Sequence, residues 1–299
     1  MLVTLKLGAI VASSARAVIS KTTKDSSIND VSPTSKELYL ALSGLAGAGC
    51  SSIAAQMESL LATKSYDIVH IIKVSDLIRE KSKADIPDLE TGARRGQSKL
   101  NRAIALQNAG DELRNKVGNF VLSSFIAEKI KALRGSAAAG DKKIAFIIDS
   151  LKHPEEVDLL RRVYGHSFRL LAVHCDSHNR NGRLIGKAAD QVKFAGADKA
   201  EVLDFMVRDE NDSKNPNGQH VKDVFHRADF FLDNSVAAVK SGASANLELD
   251  RFFDLVLGNN IYRPKISEKA IFQAFGAAAQ SSCLSRQVRS EERRVGKEC

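Results

Sequence analysis

Residues 37–55 have the sequence ELYLALSGLAGAGCSSIAA, and this stretch decides the predicted fold. Its apolar run, Leu38–Leu42, predicts a buried strand, and a segment with Gly44, Gly47 and Gly49 follows directly. The small residues after these glycines predict the first turn of a helix. Glycines allow consecutive backbone N–H groups to converge on one anion, and the positive end of the helix dipole strengthens such a site. The stretch therefore predicts a strand, an anion-binding loop and a helix N-terminus.

The glycine spacing fits the phosphate-binding P-loop pattern G-x-x-x-x-G-K-[ST], with one departure. Cys50 stands where the pattern has a lysine, and Ser51 stands at the hydroxyl position. Because that lysine normally contacts the β- and γ-phosphates, we expect phosphate binding with weak or no phosphate transfer. The predicted nucleotide-binding residues of the loop are Gly44, Gly47, Ala48, Gly49, Cys50, Ser51 and Ser52. A glycine-rich turn that serves only close packing is the alternative.

Apolar runs elsewhere predict the other strands of a sheet. With the first run, the five predicted strands are 38–42, 68–73, 144–148, 168–173 and 228–232. Each run is nearly continuous, as expected for strands that are buried on both faces. Helices are predicted between the strands. The first covers 51–61, the next begins after Ser75 as its N-cap, residues 99–133 form two helices that meet near Gly118, and a further helix begins at Pro154. We therefore predict an α/β fold with a doubly wound parallel sheet of about five strands and a ligand at the carboxyl ends of the strands.

Six polar residues outside the loop are candidates for contacts with a nucleotide. Asp149 ends the third predicted strand, where a carboxylate can hold a Mg²⁺-bound water beside the phosphates, although it can also serve only as a helix cap. Guanidinium groups bind phosphate oxygens in a bidentate geometry, and the candidates are Arg102, Arg114, Arg180, Arg183 and Arg208. The first two are twelve residues apart on one helix face, where a solvated basic face is the alternative. The other three lie in a segment that resembles the lid of nucleotide kinases.

Composition excludes several classes of protein. The net charge of the 299 residues is +8, but residues 1–24 contribute +4 and residues 289–299 contribute +1. No basic stripe alternates with aromatic residues, so nucleic-acid binding is not favoured. Four scattered cysteines without a C-x-x-C pair indicate reduced thiols and a cytoplasmic location rather than a disulfide framework or a zinc site. The apolar run near the N-terminus is too short to span a bilayer, so we expect no membrane partner.

Three further segments resemble one protein family. They are IIDSLKHPEEVDLLRRVYG at 147–165, FRLLAVHCD at 168–176, and RDE at 208–210 followed by GQHVKDVFHRADFFLDN at 218–234. These segments are similar to the N-terminal domain of the anti-phage dCTP deaminase family. In that family a P-loop NTPase domain of the nucleotide-kinase-like type precedes a zinc-dependent deoxycytidylate deaminase domain, and its phosphate loop is similar to GxGC[ST]. The resemblance covers residues 37–288, and Cys50 fits it.

The resemblance implies a domain organisation. Residues 36–250 form the P-loop nucleotide-kinase-like domain, and residues 251–288 form a linker and the first helix of a truncated deaminase domain. Residues 1–35 are a disordered extension or an overcalled start, with a targeting peptide as the alternative, and residues 289–299 resemble a translated sequencing adapter. Zinc deaminases combine His-x-Glu with Pro-Cys-x-x-Cys, and the second motif is absent. We therefore expect no catalytic residues and no metal site in this chain, and zinc only in the missing domain.

Three functions remain open. The first is a nucleotide-binding regulatory domain of a two-domain dCTP/dCMP deaminase in anti-phage defence, which binds a nucleoside triphosphate or dNTP with Mg²⁺. The second is a nucleoside or nucleotide kinase-type phosphotransferase, against which the missing lysine argues. The third is a non-catalytic interaction module that responds to RNA. The expected partners are a nucleotide and the missing deaminase domain, while a homo-oligomer and a regulatory RNA stay open. We expect 252–262 and 272–279 to face a partner.

Overall fold

One five-stranded sheet organises the molecule. The computed structural model describes residues 36–82, 86–87, 95–137, 142–186, 192–212, 215–235 and 245–279. The strands are β1 (Glu37–Gly44), β2 (Ile68–Lys73), β3 (Ile144–Asp149), β4 (Phe168–His174) and β5 (Phe230–Asp233). They pair in the order β2-β3-β1-β4-β5, and every pair is parallel. The predicted α/β fold with a parallel sheet of about five strands is therefore confirmed.

Helices connect the strands. In chain order they are α1 (Cys50–Thr63), α2 (Val74–Lys81), α3 (Arg95–Val117), α4 (Val121–Ala137), α5 (Pro154–Tyr164), α6 (Ser177–Ile185), α7 (Lys199–Glu210), α8 (Val221–Phe225), α9 (Ala245–Leu257) and α10 (Ile266–Ala279), with a 3₁₀ turn at Gly165–Ser167. The predicted break near Gly118 is confirmed, because Gly118 has a left-handed φ of 125° between α3 and α4. The prediction that Ser75 is an N-cap was wrong. The chain passes from β2 into α2 without a loop, so Lys73 takes the N-cap position.

The two central strands are the most deeply buried. Every residue of β3 is buried, and so is every residue of β1 except Glu37. On one side, Leu122, Ile126 and Leu160 pack into a cluster with Phe146. A separate cluster joins α3, α6 and α7 through Leu100, Leu184 and Val202. Because β1 and β3 are parallel and Leu42 pairs with Asp149, the carboxyl ends of both strands lie together at one edge of the sheet.

The described chain divides into two compact units, of which the first ends at Phe253 and the second begins at Asp254. Phe252 is only 2% exposed, and its ring lies 5.1 Å from that of Phe230. The prediction that residues 252–262 face a partner was therefore wrong at Phe252, since that ring packs in the core. In the second unit α10 has no buried residue, and Phe272 and Phe275 are 78% and 75% exposed. None of the described helices is both long and apolar enough to cross a bilayer.

Candidate nucleotide-binding site

The glycine-rich loop has the backbone geometry of an anion site. Gly47 and Gly49 have φ values of 82° and 96°, in the left-handed region that glycine adopts without strain. Gly49 is also the N-cap of α1, and the first helical bond runs from Ile53 N to Gly49 O at 3.0 Å. The N–H groups of the first helical turn have no partner within a helix. The loop therefore leads directly to backbone donors at the positive end of a helix of 14 residues.

Side chains behind the loop bond its carbonyl groups. Arg183 donates from Nη1 to Gly47 O at 3.1 Å and to Ala48 O at 3.0 Å, and from Nη2 to Asn234 O at 2.7 Å. Asn234 donates from Nδ2 to Ala48 O at 2.8 Å. These donors satisfy the carbonyl groups of Gly47 and Ala48 and so support the conformation of the loop. A Cβ atom added to Gly49 would lie 2.5 Å from Asn234 Nδ2, so the Asn234 side chain would have to shift.

A carboxylate stands beside the helix N-terminus. Asp149 pairs with Leu42 of β1 in the sheet register, and its Oδ2 accepts a hydrogen bond of 2.6 Å from Ser51 Oγ. Hydroxyl and carboxylate oxygens are the hard ligands that Mg²⁺ prefers, and it usually binds through one or two of them plus phosphate oxygens and waters. Over the described ranges, no three His, Cys, Asp or Glu side chains come together as a metal cluster. Ser51 and Asp149 are thus the residues that would hold a nucleotide-bound Mg²⁺.

The loop cysteine is a neutral thiol. Burial raises the pKa of Cys50 to about 12, so the thiol keeps its proton over the physiological range. Its Sγ lies next to Gly44, and a Cβ atom placed on that glycine would be only 2.8 Å from the sulfur. A neutral thiol supplies neither the charge nor the reach of a lysine. The other described cysteine, Cys175, is also a free thiol.

Two charged residues that the sequence analysis did not single out lie at the loop. Lys152 donates from Nζ to Gly44 O at 3.0 Å and to Asp209 Oδ1 at 2.9 Å. Asp209 Oδ2 in turn accepts a hydrogen bond of 2.7 Å from Ala46 N. Burial alone would lower the pKa of Lys152, but Asp209, Cys50 and Asp149 together outweigh it and the pKa is raised. Lys152 is therefore a permanently charged ammonium group at the start of the loop.

Of the five candidate arginines, the structure brings two to the loop region and leaves three away from it. Arg114 and Arg183 line the cavity beside the loop. Arg102 instead donates to Pro87 O at 3.2 Å. Arg208 is paired with the carboxylates of Asp111 and Asp212. Arg180 is 8% exposed, and its side chain is not part of the cavity wall, although its carbonyl oxygen lies behind Gly47. Arg102 and Arg208 are thus bonded to groups away from the loop, whereas Arg180 Nε is buried with no hydrogen-bond partner among the described atoms.

Arg114 lines the cavity but is engaged with carboxylates. It is 3% exposed, donates from Nε and Nη2 to Glu156 Oε1 at 3.1 and 2.8 Å, and donates from Nη1 to Asp111 Oδ1 at 3.2 Å. Glu156 is fully buried, and its Oε2 accepts from the backbone N–H of Lys152 and of His153. His153 is the N-cap of α5, and Glu156 completes the capping box. Arg114 therefore joins α3 to the start of α5.

A cavity of about 550 Å³ extends from the loop over the sheet edge. Its walls come from α2, α3 and α7, with Ile78, Leu106 and Phe205 among the apolar side chains. Gln107, which is 4% exposed, donates from Nε2 to Gln219 Oε1 at 3.3 Å, and its own Oε1 has no partner among the described atoms. The cavity thus offers room for a molecule larger than phosphate, with apolar walls and a buried amide at one side.

Strand order and loop position define the class of fold. A parallel sheet in the order β2-β3-β1-β4-β5, with a glycine-rich loop between its central strand β1 and α1, is the P-loop, nucleotide-kinase-like α/β fold. No protein-family model matches the chain, and no curated protein matches it.

Solved structures with a similar course of the chain include three kinases. Mycobacterium tuberculosis APS kinase CysC, in complex with AMPPNP and APS, is 15% identical, with a TM-score of 0.37 over 74% of this chain and 97% of that one. Acinetobacter baumannii shikimate kinase, in complex with shikimate, is 12% identical, with a TM-score of 0.36 over 76% and 95%. Bacteroides thetaiotaomicron shikimate kinase is 11% identical, with a TM-score of 0.34 over 73% and 98%. These likenesses concern the course of the chain alone.

Proposed function

We propose that this chain binds a nucleotide through its phosphates at the loop between β1 and α1. The observation that carries the proposal is the loop itself, in which two left-handed glycines lead into the N-terminus of α1 while Ser51 is bonded to Asp149. The phosphate-binding groups are Gly44, Gly47, Ala48, Gly49, Cys50, Ser51 and Ser52, and Ser51 and Asp149 would hold a Mg²⁺ ion that accompanies the phosphates. The cavity beside the loop receives the rest of the nucleotide.

We further propose that the chain is the nucleotide-sensing regulatory part of a two-domain deoxycytidylate deaminase in cytoplasmic anti-phage defence. The family resemblance supports this role, since two of its segments supply residues of the site: IIDSLKHPEE contains Asp149 and Lys152, and RDE contains Asp209. The zinc chemistry then belongs to a partner domain, and this chain alone does not deaminate. The exposed apolar side chains of α10, which include Ile271 and Phe272, support contact with such a domain.

A kinase-type phosphotransferase is the second candidate function. It is favoured by the cavity, whose volume of about 550 Å³ reaches beyond the loop toward α2 and α3 and leaves space for a phosphate acceptor. It is also favoured by Lys152, because phosphoryl transfer needs positive charge near the phosphates. The two functions differ in one property: a sensor binds without turnover, whereas a kinase consumes its nucleotide.

Calorimetric titration of the full chain tests these functions. The ligands are dCTP, dCMP, dTTP, ATP and GTP, each with and without Mg²⁺, and a phosphate-transfer assay follows. Saturable binding without phosphate release supports the sensor, and turnover with an acceptor supports the kinase. The Gly49→Asp variant is the control, since it places bulk and negative charge inside the loop. Absence of binding by the folded wild-type chain, or equal binding by the variant, contradicts the proposed site.

A further inference from the structure

The loop needs a cation that its own sequence does not contain. Cys50 is neutral, and backbone N–H groups carry only partial charge. Within the described residues, four basic side chains line the cavity: Arg114, Lys152, Arg183 and Lys193. Carboxylates engage Arg114 on both sides of its guanidinium group, and Arg183 donates to carbonyl oxygens behind the loop. The two lysines remain as candidates.

The two lysines differ in how firmly they are placed. Lys193 is exposed, and its Nζ lies over the Phe194 ring at 5.2 Å from the ring centre. Lys152 has a side chain that is 20% exposed and an Nζ that lies 3.0 Å from Gly44 O, at the first glycine of the loop. The Sγ atom of Cys50 lies beside the same glycine. The ammonium group of Lys152 and the sulfur of Cys50 thus lie next to the same glycine.

The backbone fixes Lys152 from both directions. On its N-terminal side, Leu151 N donates to Leu42 O at 2.8 Å and so extends the pairing of β3 with β1 beyond the strand. On its C-terminal side, Glu156 Oε2 accepts from Lys152 N at 2.9 Å within the capping arrangement of α5. The side chain therefore starts from a position that the sheet register and the helix cap determine together.

We propose that Lys152 supplies the phosphate-binding ammonium group that the loop lacks, from the β3–α5 connection instead of from position 50. This inference rests on the proposed phosphate site. An ammonium group has three N–H donors. The bonds to Gly44 O and Asp209 Oδ1 use two of them, and the third is directed to a phosphate oxygen. Asp209 positions the ammonium group and the loop at once, because its second oxygen accepts from Ala46 N.

The test measures binding of inorganic tripolyphosphate with Mg²⁺ to the full chain by calorimetry. Removal of Lys152 alone would leave the buried Asp209 carboxylate unpaired, so the comparison uses the Asp209→Asn variant as its background. In that background, Lys152→Met is expected to weaken binding at least tenfold, which is about 1.4 kcal/mol. Adding Cys50→Lys is expected to restore the affinity to within threefold. Lys131→Met, on the exposed face of α4, is the matched control and is expected to change nothing.

The outcomes separate this inference from the proposed function. If the wild type does not bind tripolyphosphate, the proposed site fails as a whole. If the wild type binds and the folded Asp209→Asn variant does not, the loss supports Asp209 as the residue that positions the ammonium group. If Asp209→Asn binds and the added Lys152→Met binds equally well, the site stands and the role of Lys152 is refuted. If binding is lost and Cys50→Lys does not restore it, while thermal melting shows folded protein, Lys152 is a structural residue and the inference is also refuted.

Discussion

Replacement of Arg114 by Met is expected to destabilise the fold strongly. The guanidinium group is 3% exposed and makes three hydrogen bonds to the carboxylates of Glu156 and Asp111. Met has a similar length but no charge, so the substitution leaves Glu156 as a buried carboxylate with no cation in contact. Asp111 keeps the guanidinium group of Arg208 as a partner. The expected loss of stability therefore comes mainly from the unpaired carboxylate of Glu156.

The expected magnitude follows from that geometry. Breaking one partner out of a buried ion pair costs about 3–5 kcal/mol. Glu156 retains the backbone N–H groups of Lys152 and His153, so we expect the lower end, about 3 kcal/mol. For a domain of this size, that loss corresponds to a decrease in Tm of about 6–12 °C. Adding Glu156→Gln removes the unpaired charge and keeps an oxygen acceptor for the two N–H groups, so the double variant is expected to recover at least half of the loss.

Urea unfolding of the full chain, followed by circular dichroism, measures these free energies. The matched control is Arg102→Met on the same helix, which is expected to change the free energy of unfolding by less than about 0.5 kcal/mol because, within the described residues, Arg102 bonds an exposed carbonyl oxygen. A different result would overturn the assignment of Arg114 as structural. If Arg114→Met unfolds like the control but no longer binds nucleotide, Arg114 is a ligand-binding residue, as the sequence analysis had it.

Three further changes probe the loop. Gly49→Ala is expected to lower the free energy of unfolding by about 1–2 kcal/mol through the left-handed backbone alone, and further through the contact with Asn234. Gly182→Ala is the control and is expected to be tolerated, because a Cβ atom there meets open space. Thermal melting and ligand titration of both variants check this, and equal behaviour would contradict the loop geometry. Asp149→Asn is expected to weaken nucleotide binding about tenfold with Mg²⁺ and little without it; an equal loss in both titrations would rule out a metal role. Burial raises the pKa of the Cys50 thiol from 9.0 to about 12, so this group stabilises the fold below pH 9 and its contribution is lost as the pH rises from 9 toward 12. Between pH 8 and pH 10, the urea midpoint of the wild type should therefore decrease by more than that of Cys50→Ala. Equal decreases in the two proteins would refute the burial of the Cys50 thiol.

The sequence predicted those parts of the structure that local patterns determine. The central strands were recognisable because strands buried on both faces are apolar at every position. The glycine-rich loop was recognisable because its left-handed backbone conformation favours glycine at Gly47 and Gly49. The start of α2 was mispredicted, because Ser75 is a good capping residue but β2 runs directly into the helix and leaves no room for a separate cap.

The positively charged part of the site could not be predicted in the same way. The arginines were visible as basic residues, but two of their partners are distant in sequence: Glu156 lies 42 residues from Arg114, and Asp111 lies 97 residues from Arg208. Lys152 lies only three residues after Asp149, and the carboxyl ends of neighbouring parallel strands meet at one edge of the sheet. The meeting of strand ends at that edge could therefore have identified Lys152 as a candidate site residue. Its contact with Asp209, 57 residues further along, depends on the packing of α7 and has no local signal.

If Lys152 is the phosphate-binding cation, as proposed above, ligand affinity depends on the local stability of the β3–α5 connection. A transient opening of the Leu151 N to Leu42 O bond would move Lys152 away from the loop and break its bond to Gly44 O, while the left-handed glycines Gly47 and Gly49 keep their conformation. By linkage, a ligand at one hundred times its Kd would stabilise the closed state by about 2.7 kcal/mol. Amide hydrogen exchange at Leu151–His153 should then slow on nucleotide binding as much as exchange in the loop itself, so that two segments distant in sequence report the same ligand.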